Sequence, residues 1–150
     1  MVGAAVALSF LVEVCFGSFP VGLFRFPLNV LVLALWMMLL AMMYRGRAHN
    51  ACARFMLSRE ATWLSLALIA AIGITLGLQR KPSSTAWPTV CSLLFVLSHL
   101  QFVIMRGWRN GKGIRWRFCL AHIGLFLALG AGFWGAPDRE QLRAPVQRYP

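Results

Sequence analysis

Apolar residues in this chain fall into five blocks, at about 2–16, 28–44, 61–78, 87–105 and 116–135, each separated from the next by a short polar or basic segment. A hydrocarbon core about 30 Å thick is crossed by roughly 20 residues of helix. The last four blocks come near that length and the first is shorter. None alternates with a period of two, which argues against a β-barrel. The pattern predicts an all-α fold: a polytopic transmembrane helical bundle of about five spans, the first one short, over residues 1–136. A polar external tail broken by prolines follows at 137–150.

Punctuation between the blocks agrees with this reading. Gly17, Ser18, Pro20 and Gly22 break the chain after the first block, and Pro82 closes the third. Pro27 and Pro88 stand where helices start. Ser58 predicts an N-cap, with Glu60 in the favourable first turn. Segment 45–59 reads as a basic loop in which His49 is solvated. Gly73-x-x-x-Gly77 predicts close approach of a neighbouring helix, and the fifth block carries a small-residue seam of Ala121, Gly124, Ala128, Ala131 and Gly135. The first block lacks a charged leader and is interrupted by Glu13, so it is not read as a cleaved signal peptide.

Composition sharpens the class. The chain is 59% hydrophobic with mean hydropathy +0.69, against about 45–50% apolar residues in a typical soluble domain. Its net charge is +11, which in a soluble protein would point to nucleic acid. Here the basic residues lie between apolar blocks, where membrane topology and anionic lipids account for them and nucleic acid does not. Arg45, Arg47, Arg54 and Arg59 follow the second block, and Arg106, Arg109, Lys112, Arg115 and Arg117 follow the fourth. The first connection has only Arg25, and the third only Arg80 and Lys81. The richer loops are expected inside, which puts the N-terminus inside and the C-terminal tail outside. Cys15, Cys52, Cys91 and Cys119 form no CxxC or metal-ligand spacing and read as buried free thiols.

Two histidines stand inside apolar blocks, and such residues are functional candidates by default. His99 lies seven residues before Arg106, and His122 five after Arg117. At 1.5 Å per residue both sit roughly 8–10 Å from the same boundary. The short connection makes the fourth and fifth helices antiparallel neighbours, so two imidazoles at matched depth could ligate one haem iron. Phe95, His99, Phe102 and Arg106 share one helical face, and His122, Phe126, Leu129 and Phe133 share another. On this reading Phe95, Phe102 and Phe126 flank the cofactor and Arg106 meets a propionate. The competing expectation is that both histidines only bond across to neighbouring helices. No nucleotide loop, Ser/His/Asp set or carboxylate pair is present.

Three stretches carry a family resemblance. FMLSREATWLSLALIAAIGITLGLQ (55–79), TAWPTVCSLLFVLSHLQFVIMRGWR (85–109) and AHIGLFLALGAGFWGAPD (121–138) resemble successive spans of the ResB (CcsB) family of cytochrome c biogenesis proteins. FPLNVLVL (26–33) is similar to a helix that precedes them in some relatives, and the sharpest match is His122-Ile123-Gly124-Leu125. The resemblance implies haem as cofactor and His122 as a haem-interacting residue. It also implies work with a CcsA-like membrane protein that serves apocytochrome c indirectly, in the bacterial cytoplasmic (inner) membrane. His99 has no matching motif and rests on spacing. The chain ends soon after Asp138, where the family has a large external domain, so the resemblance implies a short form, whether a short variant, a truncated gene product or one piece of a split system.

The first expectation is therefore a haem-binding, haem-delivery membrane subunit for cytochrome c maturation, a non-catalytic subunit of the attachment system. The second is a haem b or quinone-associated anchor of a respiratory enzyme. The third is a small scaffold or transporter subunit whose histidines only pack.

Overall fold

A computed structural model describes residues 2–17, 19–20, 26–78, 86–108 and 113–134. The expectations placed on Arg25, Arg80, Lys81, Arg109, Lys112 and the 137–150 tail lie outside the described residues. Those residues form six helices: α1 (Val2–Phe16), α2 (Leu28–Arg45), α3 (Ala51–Met56), α4 (Arg59–Leu78), α5 (Trp87–Trp108) and α6 (Trp116–Trp134). No strand occurs among them.

Three helices, α2, α5 and α6, are long and apolar enough to cross a membrane. α4 has the length of a span at 20 residues, while α1 stops at 15, short of the roughly 20 residues that a bilayer core needs.

Local chemistry explains the boundaries. Pro27 is the N-cap residue of α2. Gly46 ends that helix, with its N–H donating to the Met42 carbonyl at 3.1 Å. The Ser58 hydroxyl accepts from the Ala61 N–H at 3.2 Å and starts α4 as expected. Segment 45–59 departs from the loop reading because it contains α3. Asn50 caps this helix, its Oδ1 accepting from the Cys52 and Ala53 N–H groups at 3.0 and 3.5 Å. An Asn-led turn of six residues is too short to give a periodic signal in the sequence. Ala53 nonetheless buries completely against α2 and α5.

α5 is the hub, packing against each of the other five helices. Of its membrane-length stretch 44% is buried, against 17% for α2 and for α6. One side of α5 joins Leu40, Tyr44, Ala53 and Phe102, with the Tyr44 and Phe102 rings edge-on at 5.8 Å. The other joins Val96, Leu97, Leu100 and Phe126, backed by Leu68 and Ile69 of α4. Polar atoms add two ties. The Gln101 amide donates to the Met37 carbonyl of α2 at 2.8 Å, and the Trp87 indole N–H donates to the Gly17 carbonyl beyond α1 at 2.9 Å.

Two packing expectations are corrected. Gly73 and Gly77 face open space: a Cβ built on either would meet nothing within 4 Å among the described residues. Gly124 of the α6 seam is equally open. The close helix approach occurs instead at Gly107, where an added Cβ would lie 2.8 Å from Phe118 Cδ1 and 3.1 Å from Cys119 Sγ. Missing side-chain bulk at the end of α5 is what admits the start of α6. The thiols are corrected as well, since only Cys119 is buried and Cys15, Cys52 and Cys91 are exposed on apolar helices or beside them. A free thiol needs no partner, so an apolar exposed face serves it as well as a core does.

Gly107→Leu should therefore cost about 1–3 kcal/mol through overpacking. The readout is a lower thermal midpoint in detergent, with loss of the monodisperse peak. Gly77→Leu should stay within about 0.5 kcal/mol of the parent, as an open surface site does. The opposite ranking would place the close contact on α4 after all.

Candidate functional site

A cleft of about 440 Å³ lies between α4, α5 and α6, within the roughly 300–1,000 Å³ typical of cofactor sites. α4 contributes Thr62 and Ser65, α5 contributes His99 and Arg106, and α6 contributes His122. The structure thus brings His99, Arg106 and His122 together, as their spacing predicts. It does not bring the three phenylalanines to that wall. Phe102 turns to Tyr44 and the α2–α3 side, Phe126 is built into the α5–α6 core, and Phe95 is not among the lining residues. A helical face spans more than one neighbour, so residues three and four apart on α5 serve different partners.

His99 is 4% exposed. Its Nδ1 lies 2.9 Å from the carbonyl oxygen of Met56. Met56 is the last residue of α3, and helix ends leave carbonyls without an intrahelical donor. The buried imidazole thus satisfies an acceptor that the short helix leaves open. Arg106 acts beside it, with Nη1 donating at 3.4 Å to the carbonyl of Leu57, the C-cap residue of α3.

His122 is held within its own helix, its Nδ1 2.8 Å from the Phe118 carbonyl one turn earlier. The Phe118 ring lies against the imidazole with centroids 4.1 Å apart. The Arg115 guanidinium lies over the Phe118 ring, 5.5 Å from its centroid. Phe118 and Arg115 also line the cleft.

A carbonyl oxygen can only accept, so each neutral imidazole carries its proton on Nδ1. The basic lone pair then sits on Nε2, and among the described residues no hydrogen bond engages either Nε2. A carbonyl that fixes the tautomer and the ring orientation is the usual support of a ligating histidine. Both imidazoles line one cleft, whose other polar side chains are those of Thr62, Ser65, Arg106 and Arg115.

The donor set constrains what such a site can hold. Among the described residues, no three His, Cys, Asp or Glu side chains cluster as ligands for a metal ion. Two imidazoles are too few for a closed tetrahedral site, so a metal held here would need donors beyond those two rings. The thiols and His49 stand outside the cleft, His49 exposed beyond α2.

Sequence reasoning missed Phe118 and Arg115 as parts of the site. The signal was present as a four-residue step from Phe118 to His122 and three from Arg115 to Phe118, which places all three on one face. It missed α3 entirely, and with it the partner of His99.

No family model, no curated protein and no solved structure matches this chain.

Proposed function

We propose that the chain is a haem-binding, haem-delivery membrane subunit of the ResB (CcsB) type for cytochrome c maturation. The observation that carries this reading is the matched pair of imidazoles. Both Nδ1 atoms are engaged by backbone carbonyls, and both rings line one cleft with Nε2 free. The "H-x-G-L" resemblance at His122 supports it independently. On this reading His122 and His99 would hold the haem through their ring nitrogens and Arg106 would meet a propionate. Phe118, stacked on the His122 ring, would steady that imidazole, and the flanking role expected of Phe95, Phe102 and Phe126 is dropped. Bound haem supplies an iron that imidazole nitrogen ligates. The chain's own part would be to hold the ring nitrogens in place and neutralise carboxylates. The subunit is not itself catalytic. It works with a CcsA-like membrane partner, and apocytochrome c is reached through that partner.

The topology belongs to the same proposal. Five spans, α1, α2, α4, α5 and α6, place the α2–α4 and α5–α6 connections inside a bacterial cytoplasmic membrane and the tail outside. α3 then lies at the inner boundary, where its Arg54 and the flanking Arg47 and Arg59 meet anionic lipid.

His122→Ala should abolish the Soret and split α/β bands of the purified protein. His99→Ala should move the spectrum towards a five-coordinate form, and added imidazole should partly restore either variant by filling the vacated position. His49→Ala should leave the spectrum unchanged. Parent protein that carries no haem, even when co-expressed with a CcsA-like partner, would overturn the proposal. Co-purification with a dehydrogenase instead would move the site to electron transfer.

Orientation has its own readout. A reporter active only outside the cytoplasm should work when fused after Pro150 and fail when inserted at residues 110–112. The reverse pattern would remove the five-span arrangement and the shared depth of the two histidines.

A further inference from the structure

The cleft has two cationic groups, and the sequence reading used only one of them. Arg106 reaches it from the end of α5, and Arg115 from the residue before α6. Among the described residues the acids are Glu13 and Glu60, and no ion pair engages either arginine. Among the described residues each guanidinium spends little of its hydrogen-bonding capacity. Arg106 gives one Nη1 bond to Leu57 at 3.4 Å, and Arg115 lies over the Phe118 ring. A guanidinium has five N–H donors in a planar fork shaped for carboxylates.

Both guanidiniums are exposed at the edge of a cleft that also holds one buried and one half-buried imidazole, so their spare donors are open to an acidic ligand that enters it. A ligand with one carboxylate would satisfy one fork, and a neutral ligand neither.

We infer that Arg106 and Arg115 form a two-point carboxylate clamp that makes the cleft selective for porphyrins with two free carboxylates. The ligand then sits with its acidic edge towards the α5–α6 connection and its apolar edge towards the helix interior. The inference rests on the tetrapyrrole reading of the cleft, but it concerns recognition of the acid groups and not ligation of iron. The two therefore have separate tests. Arg115 is tied to the same lining: its guanidinium lies over the Phe118 ring, which packs against Gly107 and stacks on His122, and all four residues line the cleft.

The test uses iron-free protoporphyrin IX and its dimethyl ester, titrated into the full-length protein in neutral detergent and followed by porphyrin fluorescence. The diacid should bind at least tenfold more tightly than the ester, since each charge-assisted contact is worth about one order of magnitude. Arg106→Gln and Arg115→Gln should each weaken the diacid about tenfold and leave the ester unchanged. Arg106→Lys should recover part of the loss, which a merely misfolded variant would not do. His99→Ala and His122→Ala should keep the selectivity for the diacid. Equal binding of diacid and ester, or equal weakening of both by the arginine variants, would overturn the clamp. Loss of selectivity on adding dioleoylphosphatidylglycerol would also overturn it, assigning the arginines to lipid head groups. Diacid selectivity with no imidazole-ligated haem spectrum would keep the clamp and remove the iron-ligation proposal. A ligated haem spectrum without diacid selectivity would do the reverse.

Discussion

The fold depends on how one apolar helix satisfies polar groups in its middle. α5 carries His99 and Gln101 two residues apart, so they point to different sides. Each finds a backbone carbonyl on another element: Met56 at the end of α3 for His99, and Met37 in α2 for Gln101. In a bilayer such bonds are modest individually, about 0.6 kcal/mol on average. Their geometric effect is larger. Rotation of α5 about its axis would unpair both side chains in surroundings without water, so the two bonds fix which face of α5 meets which neighbour. The cleft between α4, α5 and α6 exists in the register that they set.

α3 shows why a six-residue helix belongs in this arrangement. Its start is capped by Asn50, and its end offers the Met56 and Leu57 carbonyls to His99 and Arg106. The short helix thus converts a basic connection into a rigid acceptor surface under the cleft. The same residues that satisfy it line the site, so closing the α2–α4 connection and orienting the site are one event. α6 is positioned differently. Its approach is set by the missing side chain at Gly107, which receives Phe118 and Cys119. Phe118 in turn stacks on His122 and carries the Arg115 guanidinium over its ring.

The exposed faces have a consistent character. Leu31, Leu35 and Met38 of α2 and Leu120 and Leu127 of α6 are open on the outside of the bundle. So are Gly73, Gly77 and Gly124. In water this much apolar surface would drive association; in lipid it is the ordinary solvent-facing side of a span. Small residues on these faces are therefore not evidence of contacts within the chain, which is why the Gly-x-x-x-Gly spacing misled while the isolated Gly107 carries the close approach.

Block lengths, prolines and Ser58 were enough to place α1, α2, α4, α5 and α6 to within a few residues, because span length and helix caps are local properties. The meeting of His99 and His122 was legible too, since equal distance from a shared short connection sets equal depth on antiparallel helices. The tautomer of His122 is close to local, because its partner is one turn earlier on the same helix. The tautomer of His99 is not. It depends on a carbonyl 43 residues away, on a helix too short to leave a periodic trace. The phenylalanines divide the same way. Spacing puts Phe95, Phe102 and His99 on one face of α5, but only packing decides that Phe102 faces Tyr44 while Phe118, from another helix, reaches the imidazole. Sequence determines which residues share a face and a depth; the direction each face turns depends on which neighbour fills the space, and that is a property of the assembled bundle.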